Sequence, residues 1–78
     1  MMTIEGFKCY LGTFDGTLCS IILSDLLPIP QAEYAAHKLA GALKSSEIQL
    51  EAVKIDKGIR YGVKILNVKY EEVKKWLQ

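Results

Sequence analysis

The sequence predicts a small α+β domain in which four antiparallel strands form one sheet and two helices pack on one face of it. Three observations lead to this prediction. Two segments, at 6–24 and 47–66, each alternate apolar and polar residues around a turn that contains glycine, which is typical of a β-hairpin. Each is followed by apolar residues at helical spacing. Each helix has one apolar stripe to bury. The predicted order is ββαββα, in a single domain over residues 1–78.

The first hairpin is expected to follow a loose lead-in of five residues and to turn at Phe14-Asp15-Gly16. We favour a three-residue loop, with Gly16 in the left-handed region, over a two-residue turn at Asp15-Gly16. The longer loop pairs Thr13 with Thr17 and places the apolar side chains of both strands on one face, whereas the shorter turn sets serines opposite some of them. That face consists of Phe7, Cys9, Leu11, Cys19, Ile21 and Leu23.

A proline-containing segment at 25–30 separates this hairpin from the first helix, which is expected from Pro30 to about Lys44. Gly41 lies inside this helix, where glycine costs about 1 kcal/mol relative to alanine. We interpret Gly41 as a sign of close packing or of an early helix end. The buried stripe of the helix is predicted to be Ala32, Ala35, Ala36, Leu39 and Leu43.

The central hairpin is predicted to turn at Lys57-Gly58, where glycine supplies a positive φ. This turn sets Leu50 opposite Ile65 and Ala52 opposite Val63, so that both apolar rows share a face.

A last helix is expected after Asn67, which is suited to an N-cap position. Its apolar stripe is Tyr70, Val73, Trp76 and Leu77, and Glu71 is expected to pair with Lys75.

Composition limits the possible functions. The chain has 78 residues, of which 50% are hydrophobic and 24% charged, so a folded domain is expected. A net charge of +1 provides no strong field that attracts nucleic acid or an anionic membrane. The apolar run at 21–29 is too short to span a bilayer, and no signal-peptide pattern is present. We therefore expect a cytoplasmic protein with no membrane partner.

Few residues suggest a catalytic, redox or metal-binding role. Cys9 and Cys19 are either a disulfide or two reduced core thiols, and we favour the thiols because free cysteine is often buried. A zinc site needs about four ligands, and only His37 remains to add one, so no metal or cofactor is expected. His37 is either a general base or a solvated side chain, and we favour the latter because no nucleophile is placed near it. The protein is therefore predicted not to be an enzyme.

The sheet face away from the helices is the main functional candidate. Its apolar members favour an interface, and a core this small gains from a second subunit. We therefore predict a protein–protein interaction module, homodimeric through this face or through a strand edge, which binds itself or another protein. The alternative is a module that binds single-stranded nucleic acid on the same face, with Lys54 and Lys57 at its rim. An ordinary amphipathic face is the third interpretation. The predicted interaction residues are Lys8, Tyr10, Ile22, Val53, Ile55, Arg60 and Lys64.

The segment before the first helix adds three more apolar residues. Leu26, Leu27 and Ile29 either extend the candidate surface or close one end of the core, and we favour the second role.

Overall fold

The computed structural model describes residues 1–77 and confirms the α+β class, but it contains five strands where the sequence predicts four. All neighbouring strands are antiparallel, and their order in the sheet is β1-β2-β3-β5-β4. The predicted ββαββα order is therefore wrong by one N-terminal strand. The elements are β1 (Met2–Ile4), β2 (Phe7–Phe14), β3 (Leu18–Leu23), α1 (Ile29–Leu43), β4 (Glu47–Ile55), β5 (Gly58–Lys69) and α2 (Tyr70–Lys74).

The first strand replaces the predicted loose lead-in. Met2 and Ile4 are buried and pair with β2, and the chain turns at Glu5 and Gly6, whose φ angles are 52° and 84°. Positive φ values at both central residues are typical of a type I′ turn, whose twist matches the twist of the two strands that it joins. Three residues are too short an alternation to predict a strand, so the sequence pattern missed it.

The hairpin of β2 and β3 is shifted by two residues from the predicted register, because Cys9 pairs with Leu23 and not with Ile21. The loop lies one residue later than expected, which shifts the pairing by two, and an irregularity between Leu11 and Phe14 changes the pairing by one residue along the strands. The buried Ser20 hydroxyl accepts the Thr13 N–H at 2.8 Å and so satisfies the interrupted ladder. An even shift keeps each side chain on its predicted face.

The loop of this hairpin spans 15–17, one residue later than expected, and Gly16 is left-handed as predicted, with φ 101°. The Asp15 carboxylate accepts the N–H groups of Thr17 and Leu18 at 2.9 and 2.8 Å. These two hydrogen bonds hold the pKa of Asp15 below its usual value.

The hairpin of β4 and β5 is also shifted by two residues, because it turns at Asp56-Lys57 and not at Lys57-Gly58. Leu50 consequently pairs with Val63 in place of Ile65. Gly58 still has a positive φ, of 128°, but it lies at the first position of β5.

The core lies between one face of the sheet and α1, whose bounds agree with the prediction. All five residues of the predicted stripe are buried, and small side chains let the helix lie close to the strands. Gly41, by contrast, is exposed, and a Cβ there would meet no atom within 4 Å, so both reasons inferred for it are wrong. The sheet contributes Cys9, Cys19, Ile21, Leu23, Val63, Ile65 and Val68 to the core.

The second helix begins later than predicted. Asn67 is not an N-cap: it has a φ of 52° within β5, which continues to Lys69. The first residue of α2, Tyr70, donates its N–H to Thr17 O at 3.0 Å, and Val73 is buried in the core.

The expected ion pair of this helix is also displaced by one residue. Lys75 Nζ lies 2.8 Å from Glu72 Oε1, while the prediction paired it with Glu71.

We predict that Gly12→Ala lowers the free energy of unfolding by about 1–3 kcal/mol, because overpacking forces neighbours to move. A Cβ at Gly12 would overlap Ser20 Oγ and Ile22 Cδ1. Gly41→Ala is the matched control and should raise stability by up to about 1 kcal/mol, because alanine has the higher helix propensity and its Cβ meets no neighbour. Urea unfolding at one protein concentration measures both. A neutral Gly12→Ala would contradict the packing described at the irregularity.

Candidate protein interface

The face of the sheet opposite α1, here called the open face, carries all seven predicted interaction residues. Tyr10 pairs with Ile22, and Ile22 pairs with Lys64, which forms one row across three strands. Val53 pairs with Arg60 in a second row on the outer hairpin. These positions alternate with the core positions along each strand, and alternate side chains point to opposite faces. Lys8 and Tyr10 are exposed and Ile22, Val53, Ile55, Arg60 and Lys64 are half-buried.

A shallow groove on the open face brings some of these residues together. It has a volume of about 250 Å³, and its lining includes Tyr10, Ile22, Val53 and Lys64 from the predicted set. Lys8, Ile55 and Arg60 are not in its lining. The predicted surface is therefore one groove with three flanking side chains. The remaining lining residues are Leu23, Ser24, Leu26, Gln49, Glu51, Gly62 and Val63.

Leu26 belongs to this groove, although the sequence favoured a core position for it. Its side chain is 43% exposed and lies 3.6 Å from the Cβ position of Gly62. The next residue, Leu27, exchanges two hydrogen bonds with Tyr61, of 3.0 and 2.7 Å, and packs against the core. Because neighbouring residues of an extended segment point in opposite directions, this pairing turns Leu26 outward.

Strand β4 forms an unpaired edge of the sheet. Since Tyr61 bonds to Leu27, its backbone groups point away from β4, and its pair with Ala52 is not hydrogen-bonded. Bonded and non-bonded pairs alternate along an antiparallel ladder, so the next pair, Val53 with Arg60, is bonded. By the same alternation, the free N–H and C=O groups of β4 belong to Ile48, Leu50, Ala52 and Lys54.

The two cysteines are separate buried thiols, as predicted, and the alternative of a disulfide between them is wrong. The Cys19 thiol donates to Val68 O at 3.4 Å. Burial raises the pKa of Cys9 to about 11 and also raises the pKa of Cys19, to which the Asp15 charge contributes. Thiols are weak nucleophiles, and these two stay protonated at neutral pH.

The titratable side chains are dispersed. Within residues 1–77, no three His, Cys, Asp or Glu side chains lie close enough together to hold a metal ion. His37 is exposed on α1. It borders a groove of about 580 Å³ between α1 and the β4 edge, here called the helix groove, whose lining is His37, Ala40, Gly41, Lys44, Ser45, Ser46 and Ile48.

No family model, curated protein or solved structure matches this chain. Neither helix in the described part of the chain has the length and apolar character that crossing a membrane requires.

We predict that the Cys9→Ala substitution lowers the free energy of unfolding by an amount that depends on pH. The thiol has a usual pKa of 9.0, raised to about 11 in the folded protein. Below pH 9 both folded and unfolded chains hold the proton, so the burial contribution is complete. Above pH 9 the unfolded chain ionises first, and this contribution is lost as the pH rises through 11. The difference in unfolding free energy between the parent chain and Cys9→Ala should therefore shrink between pH 9 and 11.

Denaturant unfolding of both chains over this pH range measures the difference, and the other titrating groups cancel between them. A difference that stays constant would contradict a protonated, buried Cys9.

Proposed function

We propose that the protein is a non-enzymatic protein–protein interaction module that works as a homodimer through the edge of β4. The observation that carries the proposal is the length of this edge. It spans nine residues, whereas the opposite edge strand, β1, has three. A strand whose outer backbone groups are unpaired is a template for another strand, whose main-chain hydrogen bonds supply affinity.

The side chains of β4 support pairing with a second strand. Ile48 and Leu50 project to the helix side and are half-buried at the rim of the core. A neighbouring strand would remove them further from water, which is favourable by about 25 cal/mol per Å² of apolar surface. The exposed Glu47, Glu51 and Lys54 carry charges of both signs, so the edge has no strong charge of one sign that would repel a copy of itself.

The open face is less suited to self-association than the edge. It presents Lys8, Arg60 and Lys64 together with two acidic side chains, Glu47 and Glu51, at its outer strand. Two such faces packed together would desolvate these charges and bring like charges together, which costs several kcal/mol. The edge is therefore our choice for the homodimer.

Dimer formation would also support the small core. A single core in a chain of this length rarely supplies more than about 3–5 kcal/mol of stability. Association that favours the folded state adds to this in proportion to the logarithm of concentration.

We predict that the chain dimerises and that Ala52→Pro prevents it. Ala52 is exposed and its N–H points outward, so proline removes a donor for the partner while leaving the bonds to β5 intact. Ala52→Val keeps this N–H and is the matched control. Tyr10→Lys adds charge to the open face and should leave the dimer unchanged. Analytical ultracentrifugation over a wide concentration range measures the mass of each chain, and circular dichroism confirms that each is folded.

A monomer mass for the parent chain at every concentration would refute the homodimer. Loss of the dimer in Tyr10→Lys together with its survival in Ala52→Pro would move the interface to the open face.

A second candidate function, binding of single-stranded nucleic acid, rests on the open face. The row of Tyr10, Ile22 and Lys64 offers one exposed ring beside a cation, and Lys8 and Arg60 flank it. Base stacking on aromatic rings and cation contacts to phosphates are how such strands are held.

If three cations contact phosphates, log Kd should change with log salt concentration by roughly 2, at about 0.7 per phosphate for single strands. Fluorescence anisotropy with a labelled oligonucleotide measures this slope, and Lys64→Gln should lower it while Lys74→Gln, on α2, should not. Absence of binding at low salt would exclude this candidate.

A further inference from the structure

We infer that the two β4 strands pair in one register, with the two-fold axis at Leu50. The inference rests on the proposed homodimer and adds which residues meet across it. It follows from the direction of the free backbone groups and from the order of side chains along nine residues of β4.

The backbone limits the registers. Only Ile48, Leu50, Ala52 and Lys54 offer free N–H and C=O groups, as the bonds of Tyr61 to Leu27 establish. Even-numbered residues must therefore bond to even-numbered residues of the partner. For a two-fold axis this leaves registers centred on single residues of the strand. Centres at Leu50, Glu51 or Ala52 pair at least seven of the nine residues of β4. Of the two centres that pair five, Gln49 keeps Ile48 and Leu50 inside the overlap, whereas Val53 leaves both outside it and is set aside, so four registers remain.

Two of these four registers oppose like charges. Centring on Glu51 sets this residue against the partner's Glu51 in a non-bonded pair, where side chains approach most closely. Centring on Gln49 sets Glu47 against the partner's Glu51 twice. Like charges directly opposite each other destabilise a strand pair, so both registers are unfavourable.

The register centred on Ala52 avoids like charges but buries less apolar surface. It sets Ala52 against the partner's Ala52 and Leu50 against the partner's Lys54. The half-buried Ile48 is then left outside the overlap, because the position opposite it lies beyond the end of the partner's β4.

The register centred on Leu50 meets every condition. On the helix side, Leu50 faces the partner's Leu50 and Ile48 faces the partner's Ala52. On the open side, Gln49 faces the partner's Glu51, and an amide is a suitable donor to a carboxylate. The three central bonded positions provide on the order of six hydrogen bonds between the chains.

The helix groove supplies the space that this register needs. Ile48 forms part of its lining, so α1 does not overhang the β4 edge at this point. Ala40 and Gly41 form the helix wall of the groove, and Gly41 has no neighbour within the chain around its Cβ position. The partner's aliphatic side chains can therefore approach Ile48 without displacing the helix.

Disulfide trapping tests the register. Opposite residues of a non-bonded pair have Cα atoms about 4.5 Å apart, within the range that a disulfide spans. We expect an equal mixture of Gln49→Cys and Glu51→Cys chains to give a covalent dimer of doubled mass on a non-reducing gel after mild oxidation. Each variant alone should stay monomeric on the gel, because its cysteines are diagonal, roughly 7–8 Å apart. The parent chain, whose cysteines are buried, is the baseline.

Other results would overturn the inference. A covalent dimer from Glu51→Cys alone, or from Gln49→Cys alone, would centre the axis on that residue. A covalent dimer that forms when Glu51→Cys is mixed with Val53→Cys, and does not form when it is mixed with Gln49→Cys, would centre the two-fold axis on Ala52. No covalent product while ultracentrifugation shows a dimer would place the interface elsewhere and leave the homodimer standing. A monomer by ultracentrifugation would refute the proposed function itself.

Discussion

The fold depends on the packing of both helices against only one face of the sheet. Ile21, Val63 and Ile65 lie on the same face and are completely buried in the core to which the apolar stripe of α1 belongs. Alanine side chains keep the helix close to the strands, so one helix with the short α2 suffices to close the core. The consequence is that the other face and the β4 edge have no cover from the described chain. The candidate surfaces therefore follow from the same constraint that makes the core.

The face of the sheet on which each strand side chain lies was predictable, because the apolar pattern decides it and the turns do not. The sequence misplaced the register of both long hairpins, yet it placed Tyr10 and Val53 on the correct face. Each error was two residues, and strand side chains repeat with a period of two. The pattern could not determine the register itself, since a turn displaced by one residue shifts the pairing by two and leaves every side chain on the same face. A two-residue change in pairing leaves no mark in the alternation of apolar residues.

The missed features are those that depend on short segments or on tertiary contacts. Strand β1 has three residues, too few for a periodic signal, and Asn67 resembles a helix cap although it lies within β5 with a positive φ. The outward position of Leu26 follows from the bonds between Leu27 and Tyr61, which no local pattern predicts. Those same bonds determine which backbone groups of β4 are free. The most specific part of the functional proposal was therefore inaccessible to the sequence.

The central claim is that β4 has one free row of backbone groups and that a second copy occupies it. Amide hydrogen exchange, resolved by residue and followed as a function of protein concentration, tests both parts at once. The amides of Glu51 and Val53 should exchange slowly at every concentration, because they bond to β5. The amides of Leu50 and Ala52 should exchange quickly in dilute protein and slow down as concentration rises. Exchange at Leu50 and Ala52 that stays fast at every concentration would contradict the account.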